Sequence, residues 1–118
     1  KSLKYVSLYV LLCLFVTCSK NQAISMHWDE TGCSNPWDNF IILDSFTLEG
    51  YYQGIQDYLT AEDINVNYIS SEMDSSKIEL CLACHCKTGQ VITINIPKRD
   101  KRKLERLSGN NQFGLSFY

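Results

Sequence analysis

KIELCLACHCKTGQVITINIP, residues 77–97, contains the two strands that we predict at the centre of the fold. Residues 77–86 alternate between apolar and polar side chains, which is typical of a strand with one buried face. The polar segment KTGQ follows, and its Gly89 can take the positive φ that a hairpin turn requires. Residues 91–96, VITINI, then form the partner strand, and Pro97 ends it. The pattern therefore predicts an antiparallel hairpin.

The residues upstream predict a loop, a short strand and a helix. HWDETGCSNPWDNF, residues 27–40, is rich in turn-forming residues and predicts a compact loop. Residues 40–43 form a short apolar run that is consistent with a strand, and Asp44 or Ser45 would cap the helix after it. From residue 46 to 59, apolar side chains recur at spacings of three and four, as on one face of a helix.

Three further elements complete the predicted fold. INVNYIS, residues 64–70, alternates as a half-buried strand does. KRDKRKLERLSG, residues 98–109, predicts a short helix that ends at Gly109. FGLSFY, residues 113–118, alternates again and predicts an edge strand. The predicted fold class is therefore α+β, with a small antiparallel sheet, one long helix and one short helix.

The amino-terminal residues have the organisation of a secretory signal peptide. Two lysines precede the apolar residues 5–16, a stretch shorter than the ~20 residues that span a bilayer. FVTC, residues 15–18, resembles a bacterial lipobox, in which the cysteine is acylated through its sulfur. Phe15 and Thr17 stand where leucine and glycine or alanine are usual.

Cleavage at this lipobox predicts three segments. Residues 1–17 would be the signal peptide, residues 18–26 a tether that acyl chains on Cys18 fix to a membrane, and residues 27–118 a single globular domain. The main alternative is cleavage after Ser19, which would leave a secreted protein without acyl chains. Either cleavage implies export, and disulfides form outside the cytoplasm.

Charge is distributed unevenly along the exported part. Residues 19–97 contain three basic and eleven acidic side chains, a balance of −8, whereas residues 98–106 contain six basic and two acidic ones, a balance of +4. We interpret the basic run as a solvated helix face, with anionic lipid headgroups as the alternative partner. Nucleic acid does not fit an exported protein as a partner.

Once Cys18 is acylated, four cysteines remain in the domain: Cys33, Cys81, Cys84 and Cys86. An even number in a small exported domain predicts two disulfides. Residues i and i+2 of a regular strand lie ~6.5 Å apart, which argues against a bond between Cys84 and Cys86. We expect Cys33 to pair with Cys84 or Cys86 and the other two to pair locally, which would join the loop to the hairpin.

The same cluster has alternative interpretations. The four cysteines, together with His85, could bind zinc or copper(I). A thiol-redox centre would need CLAC at the N-terminus of a helix, and a Cys–His hydrolase would need an acid that orients His85. The sequence indicates neither arrangement. We therefore predict structural disulfides, no cofactor or metal, and no catalytic residue.

With GCSNPW, residues 32–37, and CLACHCKTG, residues 81–89, the chain resembles the small lipoproteins of the Bacteroidota. In that group a short mature domain carries a Cys-Asx-Pro-Trp-like loop and a later cysteine-rich strand that ends in Thr-Gly. The resemblance covers residues 18–118. It implies a lipid-anchored protein of the bacterial cell envelope, expected at the outer membrane. The resemblance therefore predicts a location and no particular activity.

Aromatic residues supply the candidate binding surface. Trp28 and Trp37 lie in the predicted loop, and Tyr51 and Tyr52 lie on the predicted helix. Core packing is the default role for such rings, but rings left exposed would suit docking to another envelope protein. We therefore expect a non-enzymatic accessory or binding domain. The alternatives are a metal-binding or thiol-redox envelope lipoprotein, and a secreted inhibitor-like module without acyl chains.

Overall fold

The computed structural model describes the following parts of the chain: residues 3, 5, 6, 10, 22–108 and 113–118. Most of the predicted signal peptide, 1–17, the acylation site Cys18 and the predicted stop residue Gly109 lie outside the described residues. Within the described ranges, no helix is both long and apolar enough to cross a membrane.

In these ranges, three strands form one antiparallel sheet and two α-helices lie beside it. The strands are β1 (Ala23–Thr31), β2 (Tyr68–Met73) and β3 (Lys87–Pro97), in the order β1-β3-β2. The helices are α1 (Leu48–Ala61) and α2 (Lys101–Leu107). Short 3₁₀ segments connect these elements: Asp38–Phe40, Leu43–Ser45, Ser75–Lys77 and Lys98–Asp100. The predicted α+β class, with a small antiparallel sheet and two helices of unequal length, is confirmed.

The core lies between one face of the sheet and the two helices. Alternate residues of β1 and β3 face it in register: Ile24 with Ile96, Met26 with Ile94 and Trp28 with Ile92. α1 contributes Ile55 and Leu59 to the same core, and α2 contributes Leu104. Because successive side chains of a strand point to opposite faces, the other face of the sheet is polar and meets solvent.

The prediction of a first hairpin strand at residues 77–86 is wrong. Residues 78–86 form an irregular loop, because a disulfide holds the Cα atoms of Cys81 and Cys86 6.0 Å apart, whereas five steps of a strand would span about 17 Å. The second strand is confirmed, but it begins at Lys87 and includes Gly89, so KTGQ belongs to the strand and does not form the predicted turn. Gly89 has the predicted positive φ, 93°, and lies where the β1–β3 register shifts, as in a β-bulge.

β1 was not predicted from the sequence. Residues 23–26 of the predicted tether and residues 27–31 of the predicted loop belong to this strand. The alternation of Ile24, Met26 and Trp28 is the signal of a half-buried strand, and the nearby turn-forming residues obscured it. The compact loop therefore occupies only the second half of the predicted segment.

The segment before α1 also differs from its prediction. Residues 40–43 do not form a strand but join two 3₁₀ segments, because only Ile41 among them packs against the core. Thr47 caps α1 instead of Asp44 or Ser45. Its side-chain oxygen accepts a hydrogen bond from the N–H of the third helical residue at 3.0 Å.

β2 and the carboxyl-terminal residues lie near their predicted positions with different details. β2 starts at Tyr68 rather than at residue 64, because residues 62–67 return the chain from α1 to the sheet. α2 is confirmed. The tail docks on the free edge of β1, where the backbones of His27 and Tyr118 exchange hydrogen bonds of 2.7 and 3.0 Å. This is a single paired position rather than the predicted edge strand.

Candidate functional site

Two disulfides hold the CLACHC segment at one end of the sheet. Cys33 is bonded to Cys84, and Cys81 is bonded to Cys86, which is one of the two arrangements expected from the sequence. Backbone hydrogen bonds from Gly32 N to Cys86 O (3.1 Å) and from Cys33 N to Cys84 O (3.0 Å) run beside the first bond. The GCSNPW loop is therefore attached covalently to the segment that precedes β3.

These disulfides use the sulfur atoms that the alternative metal site would need. In the described ranges, the one cluster of metal-ligating side chains is Glu79, Cys81 and Cys86, and its two sulfurs are bonded to each other. His85, the other alternative ligand, stacks on Phe113 with the ring centroids 4.5 Å apart. The two cysteines of CLAC belong to different disulfides, so they do not form the C-x-x-C disulfide of a thiol oxidoreductase.

The side chain of Asn35 is the centre of a hydrogen-bond network in the GCSNPW loop. Its side-chain oxygen accepts hydrogen bonds from Trp28 Nε1 (3.0 Å), Thr31 N (2.8 Å) and Thr31 Oγ1 (3.1 Å). Its amide nitrogen donates to Thr31 O (2.9 Å) and to Asp38 Oδ1 (3.1 Å). Only an amide side chain offers an acceptor and two donors in this geometry. Asn35 therefore fastens the end of β1 to the loop that follows it.

A second polar network joins this loop to α1 and β3. Trp37 Nε1 donates to Tyr51 Oη (3.1 Å), and Tyr51 donates to Glu30 Oε2 (2.7 Å). Thr88 Oγ1 donates to the other oxygen of Glu30 at 2.8 Å. Burial, together with the hydrogen bond to Glu30, raises the pKa of Tyr51 above its usual value. The tyrosine therefore remains a neutral donor, which suits a structural role.

Most of the candidate aromatic binding surface is buried in the core. The exposed fractions of Trp28, Trp37 and Tyr51 are 2%, 0% and 8%. Tyr52 is half-buried, and its hydroxyl lies 2.6 Å from a serine hydroxyl of β2. The Trp28 ring packs against Trp37 and Phe117 with centroid distances of 5.8 and 4.8 Å. These aromatic residues have the core role that was their default interpretation.

Several exposed apolar side chains lie at the distal end of the sheet, by which we mean the end where Thr31 pairs with Lys87. The large apolar residues there that are more than half exposed include Ile42, Leu43, Phe46, Leu80 and Leu82. We call these five residues the distal apolar surface. Leu43 and Phe46 line a cleft of about 310 Å³ beside Cys33. Leu80 and Leu82 flank Cys81 on the disulfide-bonded loop, with exposed fractions of 98% and 107%.

The sequence did not reveal this surface, because residues 40–43 were predicted to form a short strand and residues 77–86 a half-buried one. One signal could have found part of it. A local disulfide was expected within CLACHC, and such a bond closes a loop too short to present a buried face. The leucines beside it would then have been recognised as exposed.

Three charged side chains at the distal end are paired with one another. The carboxylate of Asp29 lies 2.9 Å from Lys77 Nζ and 3.1 Å from Lys87 Nζ, and it accepts a hydrogen bond from the Tyr118 hydroxyl at 2.6 Å. Burial alone would raise the pKa of Asp29, but the hydrogen bonds from Tyr118, Lys77 and Lys87 outweigh burial and hold the pKa below its usual value. This cluster ties the tail and the 78–86 loop to β1.

Comparison with protein-family models, with curated proteins and with solved structures finds no significant match to this chain. The geometry of the two ends of the sheet and the sequence patterns are therefore the basis for a functional proposal.

Proposed function

We propose that the chain is a lipid-anchored, non-enzymatic accessory domain of the bacterial cell envelope that binds another envelope protein through the distal apolar surface. The anchor is Cys18, acylated after removal of residues 1–17, and the outer membrane is the expected location. The export signal and lipobox pattern of the sequence support the anchor, as does the resemblance to small lipoproteins of the Bacteroidota.

The observation that carries the docking proposal is the exposure of Leu80 and Leu82 on a loop that two disulfides brace. Single exposed apolar residues are ordinary on protein surfaces, whereas several at one end of a domain mark an interaction site. Full burial of a leucine side chain contributes about 1.5–3 kcal/mol. A braced loop loses little conformational entropy on binding, so more of this energy remains as affinity.

Several polar side chains that could perform chemistry are engaged in structural contacts, which supports a binding role. Asp29 is paired with two lysines, and Glu30 accepts hydrogen bonds from a tyrosine and a threonine. The His27 ring nitrogen Nδ1 lies 2.9 Å from a threonine hydroxyl of β3, and His85 is stacked on an aromatic ring. Each of these groups already holds two parts of the fold together.

Two measurements test the proposal. Intact mass spectrometry of detergent-extracted protein should show the loss of residues 1–17 and added lipid mass on Cys18. A photoreactive amino acid at position 80 should give a discrete protein adduct in cells, and the same residue at the exposed Ser70, on the open polar face, should not. A mature chain that starts at Lys20 without lipid mass would contradict the anchor, and no adduct at position 80 would contradict the docking site.

The alternatives have their own signatures in the same sample. Four reactive thiols with one bound zinc or copper ion would favour the metal-binding lipoprotein. A mixture of reactive thiols and disulfides that follows the redox conditions would favour the thiol-redox lipoprotein. The proposal predicts no reactive thiol in denatured mature protein that carries its acyl chains.

A further inference from the structure

We infer that α2 and the 3₁₀ segment before it bind anionic phospholipid headgroups of the membrane that holds the acyl chains. The inference rests on the proposed acylation of Cys18, and it deepens that proposal by assigning the face of the domain that touches the bilayer. Its basis is the proximal end of the sheet, by which we mean the end where Ala23 pairs with Pro97.

The first step is the position of the basic run relative to the anchor. The backbone N–H of Lys98 donates to Gln22 O at 2.8 Å, and Lys98 Nζ lies 3.4 Å from Gln22 Oε1. The basic run therefore begins beside the point where the chain enters the fold. Four residue steps separate Cys18 from Gln22, and they span at most about 14 Å when fully extended. Acyl chains on Cys18 would hold the start of the basic run close to the headgroups.

The second step is the chemistry that this segment exposes. Arg99, Arg102 and Arg106 are exposed, and their spacings of three and four place them along one side of the segment. Within the described ranges, no acidic side chain forms an ion pair with any of the three. The planar guanidinium group suits phosphate oxygens because it can donate two parallel hydrogen bonds to them.

The third step is the way the segment is held. Leu104 is buried in the core, so α2 has a fixed inner side. Lys103, unlike the arginines, is used within the domain, since its Nζ lies 3.1 Å from Asp63 Oδ2 and 3.6 Å from Asp100 Oδ1. The buried carboxylate of Asp100 also accepts a hydrogen bond from the backbone N–H of Asn65 at 3.1 Å. The arginines therefore project from a helix that is already anchored to the fold.

Charge complementarity favours a bilayer as the occupant. Residues 98–106 have a balance of +4, while residues 19–97 have a balance of −8. An anionic membrane attracts the first segment and repels the rest of the domain, and both forces act within about 10 Å at ordinary salt. The domain would therefore stand with its proximal end on the lipid and the distal apolar surface directed away from it.

The test uses the full acylated protein in vesicles of phosphatidylcholine alone or with about 30% phosphatidylglycerol. Labelling of lysines by a water-soluble succinimidyl ester is followed by mass spectrometry, with Lys77 at the distal end as the internal reference. We expect Lys98 and Lys101 to react at least about fivefold more slowly in the anionic vesicles, because headgroup binding shields them. Salt at about 0.5 M should remove this protection by screening.

Two triple variants separate headgroup binding from a general effect of charge. The first, which keeps both reporter lysines, should lose the protection: Arg99→Gln with Arg102→Gln and Arg106→Gln. The second lowers the net charge by the same amount at exposed positions of the distal end and should keep it: Asn39→Asp with Ser45→Asp and Ser75→Asp.

The outcomes are distinguishable. Equal labelling of Lys98 in the two vesicle types, with lipid mass present on Cys18, would overturn the headgroup site and leave the anchor intact. A mature chain without lipid mass would overturn the anchor and the headgroup site together. Protection that inorganic phosphate reproduces in neutral vesicles would assign the arginines to a free anion and overturn the bilayer as their partner.

Discussion

At the distal end of the sheet, Asp29 binds both Lys77 and Lys87, while large apolar side chains are exposed beside them. At the proximal end, by contrast, Leu104 lies in the core, and the arginines of the basic run have no acidic partner within the described ranges. The distal end thus exposes apolar groups, and the proximal end exposes basic groups that no carboxylate pairs with in the described ranges. Those groups suit the environments that we propose for the two ends, a protein partner for the distal end and an anionic bilayer for the proximal end.

The two ends also differ in how they are held together. Both disulfides lie at the distal end, and β1, β3 and α2 join by hydrogen bonds and core packing at the proximal end. A loop that exposes its apolar residues gains little from the core, so covalent bonds replace the packing that would otherwise fix it. By the chain-entropy treatment, a bond across 51 residues stabilises by about 4 kcal/mol and one across five residues by about 2 kcal/mol.

The largest expected effect is therefore loss of the long disulfide. Replacing Cys33→Ser together with Cys84→Ser should lower the free energy of unfolding by about 4 kcal/mol, against about 2 kcal/mol for Cys81→Ser with Cys86→Ser. Urea unfolding of the four-cysteine protein and the two double variants would measure both values. A larger loss from the short bond would show that local strain, rather than chain entropy, governs the distal end.

Loss of the Asn35 network should have the next largest effect. Asn35→Ala removes the acceptor of Trp28 Nε1 and Thr31 N, and leaving two such groups unsatisfied should cost about 3 kcal/mol. Asn39→Ala is the matched control, because Asn39 is exposed and its loss should change stability by less than about 0.5 kcal/mol. Equal thermal stabilities of the two variants would show that the hydrogen bonds of Asn35 do not stabilise the fold.

Acid should weaken the distal end through Asp29. Its pKa is below its usual value in the fold, so its ion pairs stabilise the protein above the unfolded pKa of about 3.9 and are lost as pH falls through the folded value. Asp29→Asn should therefore flatten the decline of stability below about pH 4. Asp44→Asn, at an exposed carboxylate, is the control. If the stability of the Asp29 variant declined with acid as steeply as that of the unmodified protein, the ion pairs of Asp29 would be contradicted.

The smallest effect on stability is expected at the distal apolar surface. Leu80→Ser with Leu82→Ser should change the free energy of unfolding by less than about 0.5 kcal/mol, because both side chains are exposed. The same double variant should abolish capture of the partner by a photoreactive residue at the neighbouring exposed position Glu79. Undiminished capture would show that the leucines do not form the contact.

Regular patterns were the parts of the fold that the sequence could predict. The apolar recurrence after residue 46 matches α1 because a helix buries one side, and VITINI matches β3 because its alternate residues enter the core. Parity and strand geometry reduced the cysteine pairing to two arrangements, and the structure contains one of them. The helix over the basic run was also correct, since Leu104 and Leu107 mark the side that packs.

The rest failed where a tertiary constraint overrides a local pattern. Residues 77–86 alternate as a strand would, but a disulfide between Cys81 and Cys86 closes them into a loop. β1 was missed because the turn-forming residues near it obscured the alternation of Ile24, Met26 and Trp28. The exposed apolar residues were missed because an apolar run does not show whether anything covers it.

Energy transfer to labelled headgroups can measure the distance of each end of the sheet from the membrane, and so test which end faces the bilayer. A dye on a noncanonical residue at position 80, or at the exposed Glu105 beside the arginines, would report its height above an anionic vesicle that holds the acylated protein. The eight steps of β1 span about 26 Å, so the dye at position 80 should lie about 25 Å farther from the headgroups than the dye at position 105. Equal heights, or a lower dye at position 80, would contradict a domain that rests on its basic end and presents its apolar end to a partner.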